Sequence, residues 1–143
     1  MSTSEAAGKK LAHTIHHTNI PVTDFDRTEE WYTQVFGLKK FNIAKFVKTP
    51  TTMILTNGNF DIHFELYPSV DIPKSTFEHR TGANLYHFCI EVEDWDEFNA
   101  HLDELGIERH DIKERPQNKS KSADIFDPDG HQIEIAYHAE RDY

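Results

Sequence analysis

IHHTNIPVTDFDRTEEWYTQVFGL, residues 15–38, and LYHFCIEVEDWDEFNAHLDELGI, residues 85–107, are two copies of one pattern. Setting His17 over His87 also aligns Ile20 with Ile90, Val22 with Val92, Asp24 with Asp94, Phe25 with Trp95 and Asp26 with Asp96. Gly37 follows its histidine by 20 residues and Gly106 follows its own by 19. Each copy ends in a strand-like run with a central glutamate, DIHFELY around Glu65 and HQIEIAY around Glu134, 48 and 47 residues after the two histidines. The chain therefore repeats one unit, and the unit offers a histidine and a glutamate twice. Two imidazoles and two carboxylates are enough to hold a metal ion.

The repeat unit reads as β-α-β-β-β. Residues 15–22 alternate apolar and polar, the mark of a half-buried strand. Asp24 or Asp26 can cap a helix running to about Phe36, and Gly37 stops it. Runs at 39–47, 52–56 and 60–67 predict three further strands, the last two joined through Asn57-Gly58-Asn59. The second copy predicts a strand over 85–92, a helix over about 95–105 and strands near 108–114, 121–126 and 132–138. Asp127-Pro128-Asp129-Gly130 is a strong turn before the last of these. The 143 residues thus divide into a loose polar arm over 1–12 and one domain over 13–139. That domain comprises a first module over about 13–68, a Pro- and Gly-containing connector over 69–83 and a second module over about 84–139. Halves this small are marginal alone, so the two are expected to share one core.

Strand side chains alternate between two faces, so parity decides which residues meet. Ile20 and Val22, Ile62 and Phe64, Phe88 and Ile90, and Ile133 and Ile135 fall on one set of faces. Helix positions Trp31, Val35, Phe36, Phe98, Leu102 and Leu105 supply the layer that covers them. His17, His63, Glu65, His87 and Glu134 all fall on the opposite set. Any one of them alone is an ordinary strand residue. The tetrad His17, Glu65, His87 and Glu134 is singled out because parity, spacing and repeat position agree. His63, Tyr67 and Cys89 share that face, while His79, His110 and His131 have no evident role. Lys119-Ser120-Lys121-Ser122 reads as a solvated loop.

Composition bounds the partners. A net charge of −10 without any basic stripe argues against a nucleic-acid surface. No apolar run approaches the roughly 20 residues that span a bilayer, so no membrane is expected. One cysteine and the lack of an apolar leader fit a reducing, cytoplasmic setting.

At HHTNIPVTDFDR…WY…VFGL, FELY, YHFCIEVEDWDEF and FDPDGHQIEI the chain resembles the vicinal oxygen chelate superfamily. That superfamily includes glyoxalase I, extradiol dioxygenases, methylmalonyl-CoA epimerase and the fosfomycin and bleomycin resistance proteins. The resemblance runs from about His13 to Tyr137. It implies an α+β fold in which two βαβββ modules form a cupped mixed sheet with helices on the outer face, around a divalent metal such as Fe, Ni, Zn, Co or Mn. By position, His17, His87 and Glu134 match the family's two-histidine, one-glutamate triad, and Glu65 matches the extra carboxylate of glyoxalase I. A homodimer acting on a small-molecule substrate is also implied.

Two chemistries follow from the resemblance. In a glyoxalase- or epimerase-like lyase or isomerase, the ion takes two adjacent substrate oxygens while Glu65 or Glu134 moves a proton from the neighbouring carbon. Pro21 stands where bacterial glyoxalases carry a glutathione-binding arginine, which argues against a glutathione adduct. In an extradiol dioxygenase, His17, His87 and Glu134 suit Fe(II), and His63 supplies acid–base catalysis. Metal-free drug sequestration is a third reading, and the intact tetrad counts against it.

Overall fold

The computed structural model describes residues 2–45, 51–68 and 87–139. A one-turn helix, α1 (Thr3–Ala6), precedes the first module. That module runs β1 (His17–Val22), α2 (Phe25–Phe36), β2 (Lys39–Lys40), a 3-10 turn at Ile43–Lys45, β3 (Thr52–Thr56) and β4 (Asp61–Leu66). The second runs β5 (Phe88–Glu91), α3 (Trp95–Glu104), β6 (His110–Arg115), β7 (Ser120–Phe126) and β8 (Gln132–His138). The sheets have matching orders, β1-β4-β3-β2 and β5-β8-β7-β6. In each, the first strand runs parallel to the last and the remaining pairs are antiparallel. The fold is α+β, two mixed four-stranded sheets with helices.

Equivalent residues start the two helices. Asp24 accepts the Arg27 backbone N–H at 2.9 Å and Asp94 accepts that of Glu97 at 3.0 Å, so each aspartate satisfies an orphan donor of the first turn. Gly37 ends α2 with φ of 69°, its N–H bonded to the Thr33 carbonyl, a left-handed conformation that glycine adopts without steric cost. Seven residues separate each capping aspartate from its histidine, so His17 and His87 occupy matching places in the fold.

Several expectations change. Residues 2–6, read as part of a loose arm, form a helical turn because Ser2 and Glu5 cap each other's backbone N–H groups; the arm buries nothing there. Of the strand expected over 39–47, Lys39 and Lys40 pair as an edge against β3, and the Phe41 N–H reaches the Ile54 carbonyl at 2.8 Å. The chain then tightens into the 3-10 turn, and residues 46–50 lie outside the described set. The connector and residues 85–86, expected as strand, lie outside it too, as does His79. Helix α2 buries Thr28, Tyr32 and Val35, one stripe at helical spacing, while Trp31 and Phe36 pack at its margin. Leu105 caps α3 and is exposed. Ser120 and Ser122, expected in a loop, are buried within β7.

Parity is borne out. Ile20, Val22, Ile62, Phe64, Ile90, Ile133 and Ile135 join Tyr32, Val35 and Leu102 in one apolar cluster that draws on both modules. Burying each such side chain contributes about 1.5–3 kcal/mol. A polar clamp adds to this. Asp127 of the β7–β8 turn accepts the buried Tyr32 hydroxyl at 2.8 Å. Asp129 accepts the Thr23 hydroxyl at 2.6 Å and pairs with Arg27 at 2.9 Å. His131, to which the sequence assigns no role, donates from Nε2 to the Pro21 carbonyl at 2.6 Å. The start of β8 is thereby tied to the end of β1, and these two strands carry Glu134 and His17.

Candidate functional site

Glu134 sits on β8 opposite Cys89 of β5, and His87 lies just ahead of that strand. His87 Nε2 and Glu134 Oε2 are 3.2 Å apart, each about a third exposed. Cys89 donates its S–H to the same carboxylate across 3.8 Å. Burial first, and Glu134 second, push the Cys89 thiol up to about 12, so it stays protonated at neutral pH and is no nucleophile. Asp124 of β7 faces Glu134 across the antiparallel ladder and is buried. Its carboxyl is raised, chiefly by burial and then by Glu134, with His87 acting in the opposite direction. Asp124 carries no motif that marks it as a site residue. Its place is nevertheless legible from spacing, because Asp124 and Glu134 lie equally far on either side of Asp129 in a hairpin.

The first module presents a different group. The His17 ring stacks on His63 with centroids 3.8 Å apart and planes 7° from parallel. His16 Nδ1 lies 3.0 Å from His17 Nδ1, and His16 Nε2 lies 3.7 Å from Asp61. Among the described residues, His16, His17 and His63 are the group whose ligand atoms all lie within 4.8 Å of one another. His63 is held below the usual histidine range, first by burial and next by His17. Its Nε2 is shut off from solvent and has no hydrogen-bond partner among the described residues.

Glu65 stands apart from that group. Its Oε1 accepts the Thr52 hydroxyl at 2.7 Å and the Asn19 amide at 3.5 Å. On β4 it faces Pro21, whereas Asp61 faces His17. The predicted tetrad is therefore not one tight cluster. His87 and Glu134 meet, His17 meets His63, and His17 and His87 line a common cavity of about 830 Å³ with Asp61 and Cys89.

The donors fit a borderline divalent ion. Imidazoles and a carboxylate are the ligands such ions take, and the orphaned His63 nitrogen is a ready electron pair. Helices, caps, the mixed sheets and the repeated histidines converge on one assignment. A family model, the Glyoxalase/Bleomycin resistance protein/Dioxygenase superfamily, matches residues 14–135. The chain belongs to this superfamily. A glyoxalase/dioxygenase from Nostoc punctiforme has a similar structure, with a TM-score of 0.73 at 18% identity over 98% of this chain and 97% of that one. A glyoxalase family protein from Enterococcus faecalis gives 0.65 at 23% identity, over 86% and 96%. A fosfomycin resistance protein from Listeria monocytogenes gives 0.67 at 17%, over 90% and 96%. At such identities the likeness shows the fold, and the superfamily spans enzymes and resistance proteins alike.

Proposed function

We propose that this chain is a divalent-metal-dependent enzyme that moves a proton on a small substrate bearing two adjacent oxygens, as a lyase or isomerase of its superfamily does. The observation that carries the reading is that His17 and His87, from equivalent places in the two modules, line one cavity with Glu134 in contact with His87. His17, His87 and Glu134 would hold the ion. When bound, it supplies Lewis-acid stabilisation for charge developing on the substrate oxygens.

The chain's own residues supply the rest. Glu65 is the proposed proton acceptor. Thr52 and Asn19 both bond its Oε1 and fix the carboxylate, leaving Oε2 without a hydrogen bond among the described residues. A positioned carboxylate of this kind contributes about 10²–10⁴-fold to proton transfer. Asp124 stands beside Glu134 across the β7–β8 ladder, its carboxyl raised first by burial and then by Glu134.

The test is elemental analysis of purified protein followed by solvent-deuterium exchange at the carbon beside a hydroxy-ketone or 2-oxo-thioester probe. Bound Ni, Co, Zn or Mn with exchange that Glu65→Gln abolishes supports the reading. Protein that takes up no divalent ion, or exchange indifferent to Glu65→Gln, refutes it. A second reading, extradiol cleavage, draws support from Glu65 standing away from His17, which leaves two histidines and one carboxylate. Bound iron with catechol-dependent oxygen uptake would select it.

A further inference from the structure

We propose that His63, and not Glu65, is the first module's second metal ligand, standing where the second module presents Glu134. This rests on the metal-enzyme reading above and completes its ligand set. The ion would then be held by three imidazoles and one carboxylate.

Register carries the inference. In the first module Asn19 pairs with His63 and Pro21 with Glu65; in the second, Cys89 pairs with Glu134 and Glu91 with Ala136. The capping aspartates fix His17 over His87, so Asn19 lies over Cys89. It follows that His63 lies over Glu134 and Glu65 over Ala136. A residue's partner is 44 positions further on in the first parallel pair and 45 in the second. That one-residue difference runs opposite to the His-to-Glu spacings of 48 and 47, which is why matching glutamate to glutamate slips by one place along a face.

Three side-chain observations agree with the register. His63 touches His17 as Glu134 touches His87, so each module pairs its first-strand histidine with the residue diagonally across. The buried His63 Nε2 has no partner among the described residues, a loss that a bound cation would compensate. Glu65 is already bonded through Thr52 and Asn19. The parallel stack of His17 on His63 cannot aim both in-plane lone pairs at one point. Binding therefore needs one ring to turn; His17 is the exposed one, and its turning would exchange the contact with His16 Nδ1 for the ion.

The chemistry changes with the ligand. Exchanging a carboxylate for a neutral imidazole leaves a divalent ion and its ligands at net +1 instead of zero, a stronger electrophile. Such a set favours Ni, Co, Zn, Cu or Fe over Mg and Ca. It also leaves the Glu65 carboxylate off the metal and available to accept a proton.

Calorimetric titration of Co²⁺ into chelator-treated full-length protein tests this, alongside proton NMR of the Co²⁺-loaded form. His63→Ala should weaken binding at least tenfold and reduce the paramagnetically shifted imidazole N–H signals from three to two. Glu65→Gln should change affinity by less than threefold and leave three. His63→Glu should restore binding with two signals, which separates ligand loss from misfolding. Binding retained in His63→Ala but lost in Glu65→Gln and His87→Ala would overturn the assignment while leaving the metal enzyme standing. Binding lost in His63→Ala yet untouched by His87→Ala would uphold His63 and sink the two-module site. No binding by the wild type would remove both.

Discussion

Removing one hydroxyl should loosen the whole molecule. Tyr32→Phe deletes the donor that reaches Asp127 at 2.8 Å, from a side chain with no exposed surface to an acceptor that is 6% exposed. No water can replace the bond without opening the interface. A hydrogen bond to a charged group contributes about 1.5–3 kcal/mol. Asp127 keeps two backbone donors, from Asp129 and His131, which places the expected loss near the middle, about 2 kcal/mol. Asp127→Ala strands all three donors and should cost about 4 kcal/mol. For a chain of this size each kcal/mol lowers Tm by about 3 °C, so Tyr32→Phe should melt about 6 °C early. Urea denaturation of the two single mutants and the Tyr32→Phe/Asp127→Ala double mutant closes a cycle in which the pair should couple by more than 1 kcal/mol, as contacting buried groups do. A Tyr32→Phe loss under about 0.5 kcal/mol, or singles that simply add, would refute the reasoning. The clamp would then be a contact without energetic consequence, and the tie between β1 and β8 would need another cause.

Asp127 also makes a pH prediction. Its carboxyl is raised from 3.8, burial being the first cause, so the native state holds that proton where the unfolded chain has released it. Stability from this group is complete below 3.8 and is lost as pH rises through the native value; wild type should therefore fall relative to Asp127→Asn across that window in urea titrations, and a flat difference would contradict it. Cys89, pushed up to about 12, should react with iodoacetamide at pH 8 about fifty-fold more slowly than free cysteine, the lost thiolate outweighing its greater nucleophilicity. An ordinary rate would show the thiol to be unperturbed. Gly37→Ala places a Cβ in open space at φ of 69°, so the cost is conformational alone, about 1 kcal/mol. A neutral substitution would mean that the α2 C-terminus relaxes.

The elements that the sequence made legible are those with local punctuation. Asp24, Gly37, Asp94 and the Asp127–Gly130 turn each act through hydrogen bonds within a few residues, and the elements they bound fall close to where the sequence puts them. Residues 39–45 have apolar alternation but no such stop, and the edge position of β2 gives them one partner strand instead of two. Tyr32 is hidden in the sequence for another reason. Trp31 and Phe36 look like the stronger apolar positions, yet the hydroxyl of Tyr32 finds Asp127, and that long-range partner turns the helix stripe toward it.

The candidate site divides along the same line. Parity has a period of two and depends on nothing beyond the strand, so the buried Ile20, Phe64 and Ile135 are legible from it, and His17, Glu65 and Glu134 fall on the opposite faces of their strands. Register depends on everything between paired strands. For β7 and β8 that is one short turn, and Asp124 opposite Glu134 can be counted from it. For β1 and β4 it is a helix, an edge strand and a hairpin, and a shift of two residues moves a ligand along the face without changing its parity. His63 and Glu65 differ by that shift. Because both face the same way, no pattern of polar and apolar residues can choose between them. The choice falls to the parallel ladder itself, where Asn19 meets His63 as Cys89 meets Glu134.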